Sequence, residues 1–214
     1  MRDRIKVIGV ELLMRDGYRG LRFADIAEAL GITRANVHYH FGTKQRLVEE
    51  IFEDYLRDTL TRVRSIWTDE EASLEDKLRA TMEFNRERYR MFNTRGPGTK
   101  PWSLIARMRL ERNLLSPRTN NHMRKFVEEL ESLVTAAIEL AKKKGELAQN
   151  APVQDIAVQL AFIMNSANSI TQDHGNFDGL EQLYLAVARV IKHAYGRKSS
   201  PTAVRRRPRV VNAV

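Results

Sequence analysis

Residues 23–41 read FADIAEALGITRANVHYHF, and the fold follows from how this stretch divides. Apolar residues recur at helical spacing on both sides of Gly31, where a glycine takes the positive φ that a tight turn demands. Ala27 is small where two helices must cross closely. Gly31 follows four residues later, and Val37, six residues beyond it, seals the space between the helices. Ile26, Leu30, Ile32 and Phe41 complete a small core. The stretch therefore reads as a helix over 23–30, a turn at Gly31, and a helix over 33–41 capped by the Thr33 hydroxyl, together a helix-turn-helix.

The polar side of that last helix points to its use. Arg34, Asn36, His38, Tyr39 and His40 crowd one short element, a poor composition for a core helix and a good one for lying in a major groove. Arginine and asparagine make bidentate contacts with guanine and adenine edges. Tyrosine and imidazole donate to phosphate oxygens, and Thr33 and Lys44, at either end of the helix, are placed to hold the DNA backbone. The competing reading is a solvated polar face.

Working outward, Ile5, Ile8, Leu12 and Leu13 form the stripe of a first helix that stops at Asp16-Gly17, with Gly9 marking a close contact. A long fourth helix starts near Lys44 and runs to about Trp67. Five more stretches keep helical spacing: Leu74 to Phe92, Trp102 to Leu115, Arg118 to Lys144, Val153 to Gln172 and Leu180 to Tyr195. No segment alternates with period two. The expected fold class is all-α: an amino-terminal three-helix head carrying the helix-turn-helix (1–46), and a six-helix regulatory and dimerisation body (47–196). A basic tail (197–214) lacks periodicity and is expected to be disordered.

Charge supports this division. Of the formal +9, six positive charges lie in the tail (Arg197, Lys198, Arg205, Arg206, Arg207, Arg209), and residues 1–47 contribute nine basic against five acidic residues. The cysteine-free sequence excludes thiol nucleophiles and cysteine-ligated zinc. Its histidines lack the spacing of a metal site, and no nucleophile, base and orienting group stand together as an enzyme would need. No apolar run reaches the roughly 20 residues of a membrane span. The start of the chain reads as an amphipathic helix rather than a signal peptide, so a cytoplasmic protein is expected.

Gly17-Tyr18, Ile26-Ala27, Gly31-Ile32-Thr33, His38-Tyr39-His40-Phe41 and Lys44 together resemble the head of the tetracycline repressor (TetR) family, over residues 4–50. The resemblance implies that Thr33, Tyr39, His40 and Lys44 hold phosphates while Arg34, Ala35, Asn36 and His38 face base edges. Two positions depart from the pattern. His38 stands where the family usually has tyrosine. Arg22 replaces the hydroxyl residue that usually caps the second helix, so either the cap comes from elsewhere or Arg22 makes its own phosphate contact. Beyond residue 50 the resemblance is architectural, six helices that in this family form a ligand pocket and a dimerising four-helix bundle.

Candidates for a small-molecule cavity are Met82, Asn85, Tyr89, Trp102, Ile105, Met108, Phe126 and Leu130, although apolar residues at this spacing also make ordinary core. Candidates for the dimer interface are Leu160, Ile163, Met164, Ala167 and Ile170 on one helix, with Leu183, Tyr184, Val187, Val190 and Ile191 on the next. The expected function is a regulator, a repressor by preference, that binds near-palindromic operator DNA as a homodimer, is released by a small-molecule effector, and needs no cofactor, metal or membrane. The alternative is a helical DNA-binding or interaction protein without an effector.

Overall fold

The computed structural model describes residues 1–94 and 99–196, and among these every regular element is helical. The basic tail lies outside the described residues, as do residues 95–98 of the glycine- and proline-containing connector. The helices are α1 (Arg2–Gly20), α2 (Phe23–Leu30), α3 (Arg34–Phe41), α4 (Lys44–Trp67), α5 (Leu74–Phe92), α6 (Leu104–Arg109), α7 (Pro117–Lys143), α8 (Val153–His174) and α9 (Asp178–Tyr195).

Local chemistry sets most boundaries. Gly31 ends α2 in the left-handed conformation at φ 65°, and the Thr33 hydroxyl accepts from Asn36 N at 3.2 Å to start α3. Ser73 and Asp76 form a reciprocal capping box at the start of α5. In α1 the helical backbone breaks at Gly17 (φ 73°), and one more turn follows to Gly20. Gly9 lies where α1 crosses α4, so a side chain there would run into Ile51.

The helix expected over Trp102 to Leu115 is shorter. Ser103 caps α6 through Ala106 N, α6 ends at Arg109, and a 3₁₀ turn covers Arg112–Leu114. The Asn120 amide donates to the carbonyls of Arg112 and Leu115, supplying this turn with bonds that a continuous α-helix would not need. Ser116-Pro117 opens α7, one residue earlier than expected, with proline at the first helical position, where its missing N–H costs nothing.

In the head, α1, α2 and α3 close over Ile5, Leu13, Leu21, Ile26, Val37 and Phe41 and rest on the first turns of α4. The body packs α4, α5, α7 and α8 around Trp67, Leu78, Leu130, Val134, Ile138 and Leu160, with α9 against α5 and α8. The short α6 bridges the two parts by touching α1, α4 and α8. No helix among the described residues is long and apolar enough to cross a membrane.

Candidate nucleic-acid interface and body cavity

The second and third helices present one polar face. Val37 and Phe41 are fully buried, which turns Arg34, Ala35, Asn36, His38 and Tyr39 outward into solvent, Tyr39 with 85% of its surface exposed. His40 is half-buried, its ring meeting Tyr39 edge-on and its carbonyl accepting from Arg2. Arg2 also pairs with Glu50 and lies 4.3 Å over the Phe41 ring, while Lys6 pairs with Asp54 at 2.7 Å. These contacts pin α1 to α4 and to the end of α3, fixing the angle at which α3 is offered.

At the other edge, Arg22, Arg34 and Lys44 line an open depression together with Phe23 and His38. The His38 ring packs edge-to-face on Phe23 at 6.2 Å, so it stands with the three cations. Arg22 supplies no side-chain cap to α2. It pairs instead with Asp25 at 2.9 Å, and the Asp25 carboxylate favours the positive end of the helix. Burial pushes the Lys44 ammonium below the ordinary lysine range, and Glu111 opposes that shift. Lys44 lies 4.8 Å over the Tyr18 ring and donates to Arg19 O at 3.1 Å. Three cations around an open depression suit a run of phosphates.

In the body, a cavity of about 60 Å³ opens between α4, α5, α7 and α8, with α6 at its end. Of the eight sequence candidates, Asn85, Trp102, Ile105, Phe126 and Leu130 line it. Met82 faces a separate surface groove with Tyr184, Tyr89 packs on Phe177, and Met108 is fully buried outside the cavity lining. Asn85 donates to the buried Tyr184 hydroxyl at 3.1 Å, and Asn168 accepts from Trp102 N at 2.8 Å. Sequence reasoning missed Arg88, which also lines the cavity. It shares a helical face with the buried Thr81 and Asn85, yet an arginine at that spacing reads as solvent-facing in the sequence.

On the α8–α9 hairpin the placement differs from the expectation. Leu160, Ile163, Ala167, Tyr184 and Ile191 are buried within their own chain, where they fill the space between this hairpin and the other body helices. Met164, Ile170, Leu183 and Val187 are half-buried, and Val190 is 65% exposed. Two apolar residues outside the predicted set stand out on α8, Val158 at 50% and Phe162 at 71% exposure. Among the described residues no cluster of side chains is suited to hold a metal ion.

Comparison with known proteins matches residues 8–51 to the bacterial regulatory proteins of the tetR family. The chain is 23% identical over 170 residues to the HTH-type transcriptional regulator QacR of Staphylococcus aureus, spanning 79% of this chain and 84% of that protein. It is 31% identical over 85 residues to the HTH-type transcriptional repressor KstR2 of Rhodococcus jostii, covering 38% and 42% of the two chains. A regulator from Saccharomonospora viridis, solved in complex with choline, shares the fold with a TM-score of 0.73 at 19% identity, over 92% of this chain and 98% of that one.

Proposed function

We propose that this chain is a DNA-binding transcriptional regulator of the tetR type, a repressor that grips a near-palindromic operator as a homodimer and releases it when a small molecule enters the body. In this reading residues 1–46 are the DNA-binding unit, 47–196 bind the effector and the second copy, and the basic tail adds unspecific phosphate contacts. Asn36 and Arg34 read base edges, while Thr33, Tyr39, His40, Lys44 and Arg22 hold phosphates. His38, packed on Phe23 among the cations, stands at the border between the two sets.

A single helix-turn-helix reads only about four or five base pairs, so a selective site calls for two heads one helical turn apart. The outer side of the α8–α9 hairpin suits the pairing, with Val158 and Phe162 on one helix and Leu183, Val187 and Val190 on the other. Four helices, two from each copy, would bury that face. The residues buried inside the chain are left out of this revised interface.

The observation that carries the effector step is the course of α6. Ser103 and Ile105 at its start line the cavity, while just beyond its end the Glu111 carboxylate accepts from Tyr18 N at the kink of α1. Lys44, the first residue of α4, lies over the ring of the same Tyr18. A ligand that moves α6 therefore moves the head, in addition to any shift carried along α4. The S. viridis regulator of this fold binds choline, and a small-molecule occupant of the body is the reading for this chain too. Selection from a random DNA pool tests the proposal: an enriched inverted repeat supports it, and a pool that remains unenriched refutes it.

A further inference from the structure

Most arginines along α4 and α5 have acidic partners. Arg64 pairs with Glu129, Arg79 with Glu75, and Arg86 with both Glu83 and Glu181. Arg88 differs. It enters the body cavity from α5, lies 4.6 Å over the Tyr55 ring and 5.4 Å over that of Phe84, and donates to Thr59 Oγ1 at 3.2 Å. Among the described residues no carboxylate pairs with it, and the segments outside them, 95–98 and 197–214, contain no Asp or Glu. Burial pushes its guanidinium down to about 10, so it stays charged at neutral pH.

Arg88 is half-buried, and a cation partly withdrawn from water without a counter-ion costs stability, a cost that a structure bears where the charge has a use. The two rings stabilise the guanidinium through their faces but leave most of its N–H donors unused. The rest of the cavity is largely apolar, with Ile105, Phe126, Leu130 and Met164 among its walls. Resting on the reading of the body as an effector site, we propose that the effector is an organic carboxylate, its anionic end paired with Arg88 and its apolar body against Phe126 and Leu130.

Charge and size favour a carboxylate over a phosphate. A single guanidinium balances one negative charge and matches a carboxylate through two parallel hydrogen bonds, whereas a phosphate monoester carries about −1.5 to −2. The cavity, at about 60 Å³, holds only a small group as it stands. A larger apolar body must part the helices around it, and Ser103 and Ile105 at the start of α6 are among the first residues displaced.

The test is a thermal-shift series on the full chain with benzoate, phenylacetate, cinnamate and hexanoate, each beside its amide and its amine, followed by operator binding. At least one acid should raise Tm by about 5 °C at a hundredfold excess over its Kd, with its amide and amine inert. Arg88→Met should abolish that response and raise Tm of the ligand-free protein. Arg88→Lys, which keeps charge but loses the fork, should weaken binding of the same acid at least tenfold. No response to any acid, or an equal response in Arg88→Met, overturns the proposal. An amide or amine that binds and releases DNA overturns it too, while leaving effector regulation standing. An acid that binds through Arg88 yet leaves operator affinity unchanged would instead refute effector regulation.

Discussion

Replacing Phe162 by glutamate tests how the proposed dimer forms. A phenylalanine side chain carries on the order of 200 Å² of surface. With 71% of Phe162 exposed in the single chain, about 140 Å² is available for burial, worth about 3.5 kcal/mol per copy at about 25 cal/mol per Å². Two-fold symmetry doubles this to about 7 kcal/mol, and since association realises only part of area-derived energy, about half is a fair expectation for the dimer. That half corresponds to a dissociation constant raised about 300-fold by Phe162→Glu, before any repulsion between the two new carboxylates. Because the side chain leaves its own helix, monomer folding should be untouched. Sedimentation velocity over a concentration series, beside circular dichroism, checks both halves of the prediction. A variant that keeps its helical content and still sediments as a dimer at low micromolar concentration would refute this interface. Charged substitution at Ala167 would be a poor test, because Ala167 lines the body cavity and its replacement would disturb the core.

Asn36→Ala should cost roughly 1 to 3 kcal/mol on the selected operator and relax base preference at one position, whereas Lys44→Ala should weaken all DNA sequences nearly alike; competition titrations with specific and random duplexes separate the two. Glu111→Ala removes the acceptor for Tyr18 N, and a lost charge-assisted bond of this kind is worth about 1.5 to 3 kcal/mol. The variant should bind effector as before while releasing operator less completely, which calorimetry and fluorescence anisotropy measure independently. Truncation after Gly196 removes six cations and should flatten the dependence of log affinity on log salt without altering sequence preference. An unchanged slope would exclude the tail from the complex.

Helix punctuation was the most legible part of the sequence. Gly31 and Thr33 act through bonds within four residues of themselves, so their effect does not depend on the rest of the fold. Elements decided by distant partners were harder to read. Leu110 keeps helical spacing with its neighbours, yet α6 stops before it because Asn120, ten residues on, stabilises a different turn. On α8, apolar residues occupy two faces. Leu160, Ile163 and Ala167 turn inward and Val158 and Phe162 outward, and periodicity alone does not say which face meets the core. Arg88 illustrates the same limit, since an arginine on an amphipathic helix reads as solvent-facing until its rings and its missing counter-ion are seen in space.

The proposed coupling of body to heads is most directly tested by the distance between the two heads of the proposed dimer. The chain has no cysteine, so Glu28→Cys, on the exposed side of α2 and outside α3, gives one spin-label site per copy without further engineering. Double electron–electron resonance should show one narrow distance on operator DNA, consistent with heads about 34 Å apart. A small molecule that releases the DNA should move that distance by several ångströms while the dimer persists. The absence of any dipolar coupling, or the same distance in the DNA-bound and ligand-released states, would contradict the account.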